Sequence, residues 1–397
     1  MKLLTVEEAR ARMLAAVSPL GAETVALAAA LDRILADDVT ALRDQPPFAA
    51  SAMDGWAVRV ADTPGRLAII GESAAGRGFA GAVGPGEAVR IFTGAAVPAG
   101  ADVVIIQEDV TREGGHIVVP MATVPRHIRP AAQDFAAGAT LLEAGMRLDP
   151  WRLSLAAAAG RATLEVARRP RVAILSTGEE VVAPGGRPGP FQIFNSGTTA
   201  LAALVSAWGG VPIALASVGD DMAATAGAVA DVACDLIITL GGASVGDHDL
   251  VKPAMTRLGL VMAVESVAVR PGKPTWFGVL ADGRRVLGLP GNPASALVCA
   301  ELFLGPLLKA LQGADSSLRL TPARIAGPLD ANGPREHWMR ARLSHDANGA
   351  LVAQVFADQD SSLVSVFASA DALLRRPAGA PMVAGGERVE VLRLGRR

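Results

Sequence analysis

The chain has 397 residues, 51% of them hydrophobic and 19% charged, with a formal net charge of -2 at pH 7. This length exceeds what one core holds and predicts several domains, while the near-neutral charge excludes a nucleic-acid polycation and an acidic disordered tail. No run of about 18 uninterrupted apolar residues marks a membrane span, and the charged start MKLLTVEEARARML does not have the apolar stretch of a secretory leader, so a cytoplasmic location is expected.

Thr5 stands three residues before Glu8, a capping-box spacing ahead of a first helix, and a second helix is predicted over about 23–35. From Asp38 to about Asp149, short β-rich runs such as GWAVRVAD, RLAIIGES and ADVVIIQEDV are broken by glycine and proline, which predicts a β-domain beside or inside a helical one. DPWRLSLAAAAG then predicts a further helix, returning to the first two. From Arg171 to about Gly313, strands (RVAILST, VPIALASV, DLIITL) alternate with helices (TTALAALVSAWGG, MAATAGAVADVA) and end in the long helix PASALVCAELFLGPLLKAL. That alternation predicts a doubly wound, mostly parallel sheet covered on both faces. After residue 318, MRARLSHD, LVAQVFA and RVEVLRL predict a small all-β domain. Cys234 and Cys299 sit in apolar contexts outside any CxxC pair and read as core thiols.

Ligands of open α/β sheets bind beyond the carboxyl ends of the strands. At one such end, ITLGGASVGDHD carries Gly241 and Gly242, where glycine lets backbone N–H groups approach an anion. Ser244 adds a hydroxyl, and Asp247 and Asp249 suit a hard cation such as Mg²⁺. A tight turn capping the next helix is the alternative. One strand earlier, STGEE places Ser176, Thr177 and Gly178 in a turn that suits phosphate oxygens, followed by Glu179 and Glu180, which would equally complement a helix dipole. In RPGKP, prolines hold Arg270 and Lys273 in a fixed loop suited to an oxyanion, the alternative being a solvated surface loop. In LPGNPAS, Pro290, Gly291, Asn292, Pro293 and Ser295 precede or open the long helix and offer its amino terminus to an anion, unless Asn292 is simply its cap. Asp54 in SAMDG and Thr93 in FTG are turn residues with no specific reading of their own.

Taken in order, SAMDG, FTG, STGEE, GGASVGDHD, RPGKP and LPGNPAS resemble the molybdopterin molybdenumtransferase family, which includes the carboxy-terminal domain of gephyrin. The resemblance implies a helical linker domain (1–40 and 140–168), an inserted β-domain (41–139), a molybdopterin-binding α/β domain (169–316) and a carboxy-terminal β-barrel (317–397). It implies a homodimer with sites shared between subunits, contact with a molybdopterin adenylyltransferase, and no nucleic-acid or membrane partner. The implied reaction inserts molybdate into adenylylated molybdopterin with Mg²⁺-dependent release of AMP. Glu180, Asp235 and Asp249 would hold Mg²⁺ or order the pterin, with Glu180 and Asp249 as the metal ligands. Gly242, Ser244 and Gly246 would be the phosphate loop, and Arg270 and Lys273 would attract molybdate or the terminal phosphate. Pro290 and Pro293 would shape the loop at the pterin, while Arg340 and Ser361 would line the cleft from the last domain. Asp54 and Thr93 would arrive from the partner subunit.

The chain departs from the family pattern where Ala132 and Gln133 replace a common Gly-Glu pair and where Asn195 and Gly197 replace frequent Asp and Asn. His248 holds a variable position and is expected to be exposed or to support its neighbours. The alternatives are an adenylyltransferase-like enzyme, which needs neither β-domain nor barrel, and a gephyrin-like scaffold without catalysis.

Overall fold

The computed structural model describes residues 3–219, 221–241 and 250–395. It divides into two compact units, one of Met1–Glu23, Asp32–Ala36 and Val166–Arg397, the other of Thr24–Leu31 and Asp37–Glu165.

The first helix, α1 (Val6–Ala15), opens with the capping box: Glu8 N donates to Thr5 Oγ1 at 3.1 Å and Thr5 N to Glu8 Oε2 at 2.8 Å. Its buried Val6, Ala9 and Met13 join the apolar core that includes Leu304 and Leu308. The helix predicted over 23–35 is not formed. Ala22–Ala26 is a strand paired with Thr163–Ala167, followed by a single 3-10 turn at Leu27–Ala29 and by Asp32 with a φ of 63°. Leu27, Leu31, Ile34 and Leu35 stand at helical spacing, but the pairing of Ala22–Ala26 with Thr163–Ala167 overrides that local pattern.

The second unit is built on a six-stranded mixed sheet of β1 (Gly55–Val58), β2 (Gly65–Ser73), β3 (Glu87–Ile91), β4 (Val103–Ile106), β5 (Thr111–Glu113) and β6 (His116–Val119), in the order β4-β1-β3-β2-β6-β5. Trp56, Val58, Val103 and Ile105 pack on one face, and Ala57, Val89, Ile91 and Val104 on the other. Helix α2 (Pro150–Ala158) belongs to this unit and begins as written in the sequence, with Pro150 in its first turn and Asp149 capping Arg152 N at 2.8 Å.

In the first unit, β7 (Arg171–Ser176), α3 (Ser196–Ala207), β8 (Val211–Ala214), α4 (Met222–Ala230), β9 (Leu236–Leu240), α5 (Val251–Arg257), β10 (Val261–Val264), β11 (Val269–Arg270), β12 (Trp276–Val279) and β13 (Arg285–Leu289) precede α6 (Pro293–Leu311). The α/β sheet runs β8-β7-β9-β13-β12-β10, its first four strands parallel and the last two added antiparallel. The register sets Ser176 beside Leu240 and Leu240 beside Leu289, so three parallel strands end flush at one edge. Helix α6 is long and apolar enough to cross a membrane by composition, yet it is mostly buried in the core. Its middle, Ala300–Leu304, is a π-turn just ahead of Gly305 and Pro306. Pro306 has no N–H to donate, and a π-turn lets the helix continue past it.

The remaining strands, β14 (Leu320–Ile325), β15 (Glu336–His345), β16 (Leu351–Val355), β17 (Ala372–Arg376) and β18 (Arg388–Arg393), with a short helix α7 (Val364–Ala368), run β15-β16-β14-β18-β17 and close through β17 back onto β15. The closed five-stranded barrel leaves no free edge. β11 of the α/β segment adds to it, parallel to the start of β15.

Candidate functional site

Three loops leave the flush edge of the α/β sheet, after β7, β9 and β13. The ladder continues one residue beyond the strands: Thr177 N donates to Leu240 O at 3.0 Å and Gly241 N to Leu289 O at 3.3 Å. Gly241 takes a φ of +93°, and a Cβ on it would lie 2.7 Å from Thr177 O; one on Gly291 would lie 3.4 Å from Gly241 Cα. The loops meet backbone to backbone, with the N–H groups of Thr177, Gly178 and Gly241 taken up by the carbonyls of Leu240, Val218 and Leu289. Thr177 Oγ1 is buried with no hydrogen-bond partner among the described residues, a vacancy that a ligand oxygen would satisfy. Gly242, Ser244, Gly246, Asp247, His248 and Asp249 lie outside the described residues.

Acidic groups gather at the same edge. Gly178, with φ +123°, has the Glu180 carboxylate folded over it so closely that a Cβ would collide with it. Glu179 and Glu180 are exposed, and Gly219, in the loop after β8, lies against Glu179. Asp221 follows as the cap of α4, accepting from Ala224 N at 2.6 Å. The sequence reading missed Asp221, although its place after a strand of the parallel sheet is the same signal that marks Glu180. Asn195 is 7% exposed and caps α3, accepting from Thr198 N at 3.0 Å. An amide serves there as well as a carboxylate, and at Gly197 an added Cβ would have to displace the tip of the Leu240 side chain.

Asp235 is a correction. It stands before β9, at the amino end of the sheet, where Arg168 Nη2 and Nη1 donate to it at 2.7 and 3.1 Å and Arg171 N at 2.7 Å. The carboxylate ties the starts of two strands together and is not brought to the loops. Asp235→Asn is expected to cost about 1–2 kcal/mol of stability, since the Arg168 side chain is 40% exposed and partly solvated. Turnover per folded molecule is expected to stay unchanged. Urea denaturation and an activity assay, made on the same preparation, check this, and lost activity in folded protein would return Asp235 to the site.

On the other side of the loop after β13, a cavity of about 800 Å³ opens between the RPGKP loop and the barrel. Arg270, Lys273, Ser295 and Ser361 all line it, as the sequence motifs imply. Asn292 makes no side-chain cap; its Nδ2 donates to Ser361 Oγ at 2.9 Å, and Ala294 N donates to Ser361 O at 3.1 Å. The loop 290–295 therefore touches Gly241 at one end and the cavity wall at the other.

Arg340 is the second correction. It is wholly buried behind the cavity wall, with N and Nε donating to Gln359 Oε1 at 2.9 and 3.2 Å and Nη1 to Asp360 O at 2.9 Å. It braces the turn that carries Ser361 and does not line the cleft. The polar groups that β15 and β17 do present to the cavity are His337 and Arg376, which the sequence reading missed. His337 pairs with Arg270 of β11 on one side and with Arg376 of β17 on the other. Burial first, then the surrounding Arg270, Arg340, Arg335 and Arg376, push its imidazole down to about 4.

In the second unit, Asp54 Oδ1 accepts from Thr93 N at 2.7 Å and from Thr93 Oγ1 at 2.8 Å, so the two motif residues do meet. These bonds, with a smaller contribution from Arg90, hold the exposed carboxyl below its usual range. Arg90 lies over the rings of Phe92 and Trp56, at 4.7 and 5.4 Å, and donates to Gly55 O at 2.9 Å. Ala132 takes a φ of 58°, the conformation in which glycine is at ease, and Gln133 beside it is exposed.

Three family descriptions cover the chain in succession: the MoeA N-terminal region (domain I and II) over residues 4–160, a probable molybdopterin binding domain over 173–310, and the MoeA C-terminal region (domain IV) over 322–394. Molybdopterin molybdenumtransferase 2 of Mycobacterium tuberculosis is 38% identical over 400 residues, spanning 96% of each chain. The molybdopterin molybdenumtransferase of Nostoc sp. is 35% identical over 388 residues, 94% of this chain and 88% of its own. Among solved structures, a molybdopterin biosynthesis MoeA protein from Pyrococcus horikosii superposes with a TM-score of 0.87 at 32% identity, covering 99% of both chains. With flush phosphate-type loops, a cationic cavity beside them and likeness over the full length, the chain belongs to the MoeA family, the molybdopterin molybdenumtransferases of molybdenum cofactor biosynthesis.

Proposed function

We propose that the chain inserts molybdate into adenylylated molybdopterin and releases AMP, with the pterin phosphates on the glycine loops and molybdate in the cavity. The observation that carries this reading is the 290–295 loop, whose Gly291 abuts Gly241 while its Asn292 and Ser295 face the Ser361 wall and the cavity. A phosphate group and a tetrahedral dianion held at its two ends are positioned as one reacting pair. Backbone N–H groups and the Thr177 hydroxyl bind the phosphates, while Arg270 and Lys273 hold the oxyanion.

Glu180 and Asp249 would hold Mg²⁺. Glu180 offers hard oxygens at the rim and has no ion pair among the described residues, a donor chemistry that suits this ion. Bound there, Mg²⁺ supplies positive charge that stabilises the departing AMP phosphate. The enzyme acts in the cytoplasm as a homodimer, and it contacts a molybdopterin adenylyltransferase to receive its substrate. Asp54, fixed by Thr93, reaches the site from the partner subunit, which supports a shared site because that carboxylate is exposed, ionised and anchored with no role in its own core.

Purified protein given adenylylated molybdopterin, Mg²⁺ and molybdate is expected to release AMP and yield active cofactor, and Asp249→Ala to abolish both while the protein stays folded. Asp54→Ala is expected to be equally inactive alone. Mixed by refolding or co-expression, the two variants are expected to regain roughly a quarter of wild-type activity, because one site of each mixed dimer is intact. No regained activity in confirmed mixed dimers would show that each site lies within one subunit.

A further inference from the structure

The cavity contains a group, His337, that neither the motifs nor the proposed reaction uses. Arg270, His337 and Arg376 are direct cross-strand partners on three adjacent strands, so their side chains stand in one row on one face, and all three line the cavity. His337 is 7% exposed, and its ring takes no hydrogen bond from any described residue. Its ring nitrogens are not among the sealed, unpartnered polar atoms, so the imidazole opens onto the cavity and can contact a ligand atom there.

The charges around it are unbalanced in an informative way. Arg270 faces it from β11, Arg376 from β17, Arg340 from its own strand and Arg335 from just before that strand, while Lys273 also lines the cavity. Asp330, Asp358 and Asp360 supply the opposing charge from the loops of the barrel, and Glu336 is occupied with Arg375 on the other side of the strand. Arg376 is committed to the carbonyl of Asp330 at 3.0 Å and to that of Pro381. Four cations and three carboxylates thus line the cavity, and a neutral His337 suits that balance. A doubly charged guest reverses the balance, and one proton on the imidazole restores it while creating an N–H donor aimed at a guest oxygen.

Resting on the reading of this cavity as the molybdate site, we propose that His337, set between Arg270 and Arg376, takes up one proton from solvent as a tetrahedral dianion enters, and so couples oxyanion binding to pH. His337 is a positioning and selectivity residue here, favouring dianions over singly charged anions.

Titration calorimetry on the full-length protein tests this, with sodium molybdate and sodium sulfate at pH 7 in two buffers of different ionisation enthalpy. Wild type is expected to take up close to one proton per dianion, and sulfate affinity to rise nearly tenfold per pH unit between pH 8 and 6. In His337→Gln the uptake is expected to vanish, and the KM for molybdate at pH 7 to rise roughly tenfold or more with kcat little changed. Should the variant fold poorly, ¹⁵N shifts of the wild-type imidazoles report the same event, one ring changing from neutral to protonated when molybdate is added. Dianion binding with no proton uptake and no imidazole change overturns the role of His337 while leaving the molybdate cavity standing. Absence of binding by either dianion overturns both.

Discussion

Lys273→Ala is expected to lower kcat/KM for molybdate by roughly a hundredfold at pH 7, with the loss mainly in KM. The size follows from how the loop is held. Gly272 has a φ of +117°, and a Cβ on it would collide with the Cys299 sulfur, so the loop is pressed against α6. Thr275 N and Oγ1 donate to Gly272 O at 3.0 and 2.8 Å, Thr275 Oγ1 approaches Cys299 Sγ at 3.1 Å, and Val267 N donates to Lys273 O at 3.0 Å. Burial pushes the Cys299 thiol up to about 12, as suits a core thiol that packs and does not react. With its backbone fixed from both sides, Lys273 presents its ammonium from a set position on the cavity wall. A charge-assisted contact of this kind contributes about 2–3 kcal/mol, which is the hundredfold. Lys273→Arg is expected to recover part of it, because guanidinium keeps the charge but not the point geometry. Steady-state rates over a range of molybdate concentrations measure both, and an unchanged KM in Lys273→Ala would remove this residue from the oxyanion.

The parts of the site that could be read in advance are those where local sequence dictates local geometry. Apolar runs ending in Ser-Thr-Gly, Gly-Gly and Pro-Gly are strands that stop, and parallel pairing then brings the three stops to one edge. RPGKP carries its two cations and its prolines within five consecutive residues. The misreadings arose where geometry depends on partners distant in sequence. Asp235 is near Gly241 in the chain, but a five-residue strand runs between them and carries them about 20 Å apart, to opposite edges of the sheet. Arg340 looks like the useful cation of MRARL, yet only the register of β15 against β11 and β17 shows that His337 faces Arg270 and Arg376. The lost helix at 23–35 has the same cause: its fate was decided by Thr163–Ala167, which lies about 140 residues away.

Glu301→Gln is expected to stabilise the protein by about 3 kcal/mol at pH 8 and to change nothing at pH 4. Glu301 lies in the π-turn of α6, among Ala300, Leu302, Phe303 and Leu304, all buried. It accepts no hydrogen bond among the described residues, and burial raises its carboxyl to about 7, with the Lys309 charge offsetting only part of the effect. In the unfolded chain the same group ionises near 4.5. As pH rises from 4.5 to 7, the unfolded state releases a proton that the folded state retains, so stability falls across that window and the full cost is present above it. Glutamine has the same shape and no charge to bury, so it removes the cost only where glutamate would be ionised. Urea denaturation of both proteins at pH 4 and pH 8 measures the difference directly, and comparison at equal pH cancels every other titrating group, His337 included. Equal stability at pH 8 would mean that water reaches the Glu301 carboxylate inside the helix. A gain confined to high pH would show instead that the turn accommodating Pro306 holds a carboxylic acid that opposes folding whenever it ionises.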